Sequence, residues 1–68
     1  MVQVQSVVFE KDKWTVSNAI NWLKKHGYKQ FEVDEKENTY RFRQVNPSNF
    51  TRFRSDKLNN GIILIFGI

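Results

Sequence analysis

The stretch from Trp14 to Tyr28 carries a helix with both of its ends written into the residues, and this constrains the fold more than any other feature. Thr15 offers a side-chain oxygen to the amide hydrogens of a first turn. Trp14 and Ala19 stand at the spacing of a hydrophobic staple. Val16, Ala19, Ile20 and Leu23 recur at helical spacing and make one core-facing stripe, with Trp22 at its margin. Lys24, Lys25 and His26 occupy the last turn, where positive charge favours the helix dipole. Gly27 can take the left-handed position that closes a helix, with Tyr28 folding back on Leu23.

The segments on either side read as strands. Val2–Phe9 holds Val2, Val4, Val7, Val8 and Phe9, with apolar residues on both faces. Such a strand belongs in the middle of a sheet, and its broken alternation points to a bulge near Ser6. Phe31–Asp34 and Thr39–Val45 alternate cleanly around a polar turn, Glu35 to Asn38. A register with Val33 opposite Tyr40 sets Phe31 against Phe42 and Glu32 against Arg41, so apolar meets apolar and acid meets base. Asn46-Pro47 starts a short second helix that ends near Arg54, with Phe50 and Phe53 on one face. Asn59-Asn60-Gly61 is a turn, and Ile62–Phe66 is an apolar run of strand length.

The expected fold class is α+β. It is a compact two-layer β-α-β-β-α-β unit, a minimal ferredoxin-like pattern, with one main helix on a mostly antiparallel sheet and a short second helix. Two alternatives stay open: a sheet with no real second helix, and a hairpin that pairs Arg54–Leu58 with the last strand through Asn60-Gly61. The 68 residues make a single domain, 1–68. A chain with no cysteine has no disulfide or thiolate metal site to staple it, so the ten aromatic residues must supply much of the core. No apolar run approaches the roughly 18–20 residues that cross a bilayer. The N-terminal MVQVQSVVFEKDKW lacks the basic flank and small-residue cleavage site of a signal peptide.

Several short patterns lie along the chain: Val4-Gln5-Ser6-Val7-Val8-Phe9, Trp22-Leu23-Lys24-Lys25-His26-Gly27, and Tyr40-Arg41-Phe42-Arg43-Gln44. They continue as Asn46-Pro47-Ser48-Asn49-Phe50, Phe53-Arg54 and Gly61-Ile62. Together they resemble a small domain of tailed-phage and large-DNA-virus genomes that stands alone or beside prohead-protease-type proteins. The resemblance spans nearly the whole chain. It implies a viral origin, with the host cytoplasm or the virion as location, and it implies no activity, since the protease chemistry lies outside this segment.

Catalytic signals are absent. His26 is the single histidine, and its place at a helix end fits a cap. Glu32, Asp34, Glu35 and Glu37 crowd one turn without a histidine or the spacing of a calcium loop, and a solvated turn accounts for them. Ser6, Ser17, Ser48 and Ser55 have no histidine at a recognisable spacing, and three glycines make no phosphate loop. The expectation is a protein that is not an enzyme, with no metal, no cofactor, no small-molecule substrate and no membrane partner.

Two binding signals remain. Residues 28–38 carry two lysines against four acids, whereas residues 39–58 carry Arg41, Arg43, Arg52, Arg54 and Lys57 against Asp56 alone. Four of those five cations are arginine, and they interleave with Tyr40, Phe42, Phe50 and Phe53. Arginine binds phosphate bidentately and stacks on bases, so this segment is a candidate nucleic-acid surface, DNA or RNA. The plain alternative is that Arg41 pairs with Glu32 across the hairpin, and that Arg52 and Arg54 are merely solvated. The second signal is apolar. Ile63 and Ile65 cannot share a face with Ile62, Leu64 and Phe66, and with Val7 and Phe9 they are candidates for an interface with a protein partner or a second copy.

Overall fold

A computed structural model describes residues 2–68. Its elements are β1 (Gln3–Glu10), α1 (Val16–Lys25), β2 (Val33–Glu35), β3 (Thr39–Arg43), a single 3-10 turn at Pro47–Asn49, β4 (Phe53–Lys57) and β5 (Ile62–Gly67). The strands form one five-stranded sheet in the order β2-β3-β1-β5-β4, and every neighbouring pair is antiparallel. α1 covers one face.

The helix forms as its residues dictate. Thr15 Oγ1 accepts from the Asn18 amide at 3.1 Å. At the other end Tyr28 N–H donates to the Leu23 carbonyl at 2.9 Å and Gly27 N–H to that of Lys24 at 3.3 Å, with Gly27 at φ +77°. These two bonds make a Schellman closure. His26 Nδ1 lies 2.8 Å from the Trp22 carbonyl oxygen, and its ring stacks on Trp22 with centroids 3.9 Å apart.

Val7, Phe9, Ala19, Leu23, Phe42 and Ile62 are fully enclosed between helix and sheet. The Phe9 ring sits at the centre, edge-on to Trp14, Trp22 and Phe42 with centroids 5.1, 5.8 and 5.6 Å away. In a chain without disulfides, this T-shaped aromatic packing adds to the burial that stabilises the fold.

β1 lies in the centre of the sheet, and its register shifts between Val4 and Ser6. The bulge falls on Gln5, whose carbonyl accepts from both Gln44 N–H and Val45 N–H. Its side chain is buried and satisfied: Nε2 donates to the Val45 carbonyl at 2.9 Å, and Oε1 accepts from Ser6 Oγ at 2.8 Å. Gln44, also buried, bonds both backbone groups of Lys29, at 2.7 and 3.0 Å, and so clamps the chain between α1 and β2.

The ferredoxin-like expectation is corrected on two points: the sheet has a fifth strand at its edge, and the described residues form no second α-helix. Asn46 does cap a turn, with its Oδ1 accepting from Ser48 N–H at 3.0 Å. The backbone turns extended at Phe50, however, and residues 53–57 pair in unbroken register with β5. A two-turn helix is marginal in water, whereas a strand laid beside the apolar β5 gains a full ladder of hydrogen bonds. The hairpin through Asn60-Gly61 is the alternative that forms, with Gly61 at φ +81°.

The β2–β3 register is corrected as well. Val33, not Phe31, stands opposite Phe42, and Asp34, not Glu32, opposite Arg41. The cause is a tighter turn, closed by Lys36 N–H donating to the Thr39 carbonyl at 2.8 Å, which slides the pairing by two residues. An even slip keeps every side chain on its expected face. Phe31 is pushed off the sheet and is 70% exposed.

Candidate functional site

The helix leaves the other face of the sheet open, and the register sets out what that face carries. One row runs Asp34, Arg41, Val8, Ile63, Lys57 across β2, β3, β1, β5 and β4. The next row runs Arg43, Ser6, Ile65, Ser55 across β3, β1, β5 and β4. Arg41 and Arg43 therefore lie side by side along β3, on the face opposite the buried Phe42.

The open face is concave. A groove of about 650 Å³ runs over it, bounded by Glu32 and Asp34 on one side and by Pro47 and Phe53 on the other, with Arg41 and Arg43 on its floor. The second wall exists because of Gly67. A Cβ on Gly67 would fall 2.3 Å from the Phe50 ring, so only glycine lets Phe50 lie against the end of β5. Phe50 in turn meets Phe53 edge-on, with centroids 6.1 Å apart, and Phe53 is 49% exposed. On the acidic wall, Glu32 holds φ +55°, a left-handed backbone that costs a non-glycine residue about 1–3 kcal/mol.

Among the described residues, neither Arg41 nor Arg43 makes an ion pair or a side-chain hydrogen bond. The pairing of Arg41 with Glu32 does not form. Asp34, the actual cross-strand neighbour, pairs instead with Lys36 at 3.1 Å. Both guanidinium groups keep their donors available over a concave surface.

The other three basic candidates are not gathered with them. Arg54 faces the helix side of the sheet, over the Phe66 ring at 5.5 Å and 3.8 Å from Asp56. Arg52 is exposed ahead of β4, where its backbone bonds Ile68. Lys57 is on the open face but lies 3.8 Å from Glu10.

The apolar candidates divide in the same way. Ile63 and Ile65 are half-buried on the open face, beside Val8 and Ser6, which are nearly enclosed by their neighbours. Val7 and Phe9 are corrected: both are 0% exposed under α1, because β1 turns those side chains into the core, and neither can line an interface.

Sequence reasoning missed Pro47, Phe53 and Ser55 as groove residues, because it set Phe50 and Phe53 on a helix. Phe53–Lys57 holds a single apolar residue and shows no strand alternation of its own; the one signal is the Asn59-Asn60-Gly61 turn before an apolar strand, which marks a hairpin. A second cleft of about 430 Å³ opens beside the helix between Trp14, Trp22, Asn18 and Lys25; there Trp14 Nε1 donates to the Asn60 carbonyl at 2.7 Å.

Among the described residues no three His, Cys, Asp or Glu side chains gather where they could hold a metal ion, and no helix is long and apolar enough to cross a membrane. No protein-family model matches this chain, and no curated protein or solved structure matches it either.

Proposed function

We propose that this chain is a binding module, not an enzyme, and that it holds single-stranded nucleic acid across the open face of its sheet. The observation that carries the reading is the pair Arg41 and Arg43: neighbours on one face, without an acidic partner among the described residues, on the floor of a groove whose far wall is the exposed Phe53. A guanidinium grips a phosphate through two parallel hydrogen bonds. A half-exposed aromatic ring offers a base a stacking surface worth about 1–3 kcal/mol. Glu32 and Asp34 repel phosphate from the β2 edge, so the backbone of the strand would run along β3 over Arg41 and Arg43, with its bases toward Phe53. An open sheet suits unstacked bases better than a duplex. The phage-type sequence patterns support a viral accessory role, in the host cytoplasm or in the virion.

A second reading is favoured by a different observation. Phe53 is 49% exposed on the open face, and Ile63 and Ile65 on the same face are only half-covered, which is an apolar surface for a protein partner.

Fluorescence anisotropy with labelled single-stranded and duplex DNA and RNA separates the two. The expected result is binding that prefers single strands, survives near-physiological salt and disappears in Arg41→Ala/Arg43→Ala. Absent binding, or binding confined to low salt, would overturn the nucleic-acid reading in favour of a protein partner, and binding untouched by that double substitution would remove Arg41 and Arg43 from the site.

A further inference from the structure

The sheet has two free edges, and they are built differently. β2 is three residues long and follows the kinked Glu32 directly. β4 has five residues, all exposed, with no proline and no register break. Among the described residues nothing covers its outer side, and a regular strand edge of this kind is a template for another strand.

The ladder shows which groups β4 leaves unpaired. Arg52 and Ile68 exchange both backbone hydrogen bonds, at 3.3 and 2.9 Å, and Leu58 N–H donates to the Ile62 carbonyl at 2.7 Å. The even-numbered residues of β4 therefore turn their backbone groups toward β5. The N–H and C=O groups of Phe53, Ser55 and Lys57 point outward.

We propose that β4 pairs antiparallel with β4 of a second copy of this chain, with the two-fold axis at Ser55. In that register Ser55 faces Ser55 of the second copy, and Phe53 faces its Lys57. These are the outward-pointing positions, so each such pair exchanges its backbone hydrogen bonds. Between them, Arg54 falls opposite Asp56 of the second copy, and by symmetry Asp56 falls opposite its Arg54. These are the closely spaced, non-hydrogen-bonded positions where side chains approach most nearly.

The sequence Phe53-Arg54-Ser55-Asp56-Lys57 is thus complementary to itself in charge when reversed about its middle. This complementarity selects a second copy as the occupant. Within one chain Arg54 and Asp56 are 3.8 Å apart and more than half exposed, so both remain free to turn outward. The two open faces would join into one surface, with a groove on each side of the axis. The proposal does not depend on what the groove holds.

Sedimentation equilibrium of the whole chain over a range of concentrations tests it. The wild-type chain is expected to dimerise. Arg54→Glu and Asp56→Lys each set like charges opposite one another twice, and each should raise the dimer dissociation constant about tenfold or more. An equimolar mixture of the two variants restores both opposite-charge contacts and should recover the wild-type affinity. Ser55→Cys should form a cross-linked dimer under mild oxidation, whereas Phe53→Cys, far from its own copy in this register, should not. A chain that stays monomeric at every concentration, or a mixture that associates no better than its separate variants, would overturn the proposal.

Discussion

The two faces of the sheet are made from the same strands and answer to different constraints. On the helix side, Val7, Phe9, Phe42 and Ile62 are fully enclosed, and an aromatic cluster around Phe9 fixes how α1 sits. On the open side, the same strands present Arg41, Arg43, Ser55, Ile63 and Ile65, with only part of that surface covered. Stability resides in the first face and availability for binding in the second. Substitutions on the two faces should therefore have opposite signatures.

The largest effect is expected on the covered face. Leu23 is fully buried at the end of the helix stripe, and its carbonyl accepts the Schellman bond. Leu23→Ala should cost about 2–5 kcal/mol, which is comparable to the whole stability of so small a domain. Thermal denaturation followed by circular dichroism should find the variant largely unfolded near room temperature. A fully cooperative transition close to that of the wild type would show that the core is not where the stability lies.

Gly67→Ala acts from the open side and should cost less. The new methyl would meet the Phe50 ring, so Phe50 must move and the Pro47–Phe53 wall shift with it. A loss of about 1–3 kcal/mol is expected by chemical denaturation, together with weaker nucleic-acid binding. Unchanged binding would detach that wall from the site.

The smallest effect on stability belongs to Arg41→Ala and Arg43→Ala. Neither side chain has a partner among the described residues, so each should shift the unfolding free energy by no more than about 0.5 kcal/mol. A larger loss would mean that the open face helps to hold the fold together.

The covered face was largely legible in the residues, because caps and periodicity are local signals. Thr15, Gly27 and the Val16–Leu23 stripe specify a helix without reference to the rest of the chain, and the bulge at Gln5 shows in the broken alternation of β1. The central place of β1 also follows from its apolar residues on both faces. The open face was legible only in part. Arg41 and Arg43 could be set opposite Phe42 by alternation alone. The groove wall could not, because Asn46-Pro47 and the Phe50–Phe53 spacing read as a helix, and only pairing with the distant β5 makes Phe53–Lys57 a strand. Arg54 and Lys57 separate from the Arg41 pair for the same reason: their faces are set by the β4–β5 register and not by their own sequence. The β2–β3 register turned on the tightness of one polar turn, which the residues from Glu35 to Asn38 left undetermined.

The most direct test is the salt dependence of single-strand binding in three single-site variants. Each phosphate contact adds about 0.7 to the slope of log affinity against log salt for a single strand. Arg41→Ala and Arg43→Ala should each make that slope shallower by about this amount, while Arg54→Ala, on the opposite side of the sheet, should leave it unchanged. Equal losses in all three variants, or no loss in the first two, would contradict an open face that binds through Arg41 and Arg43.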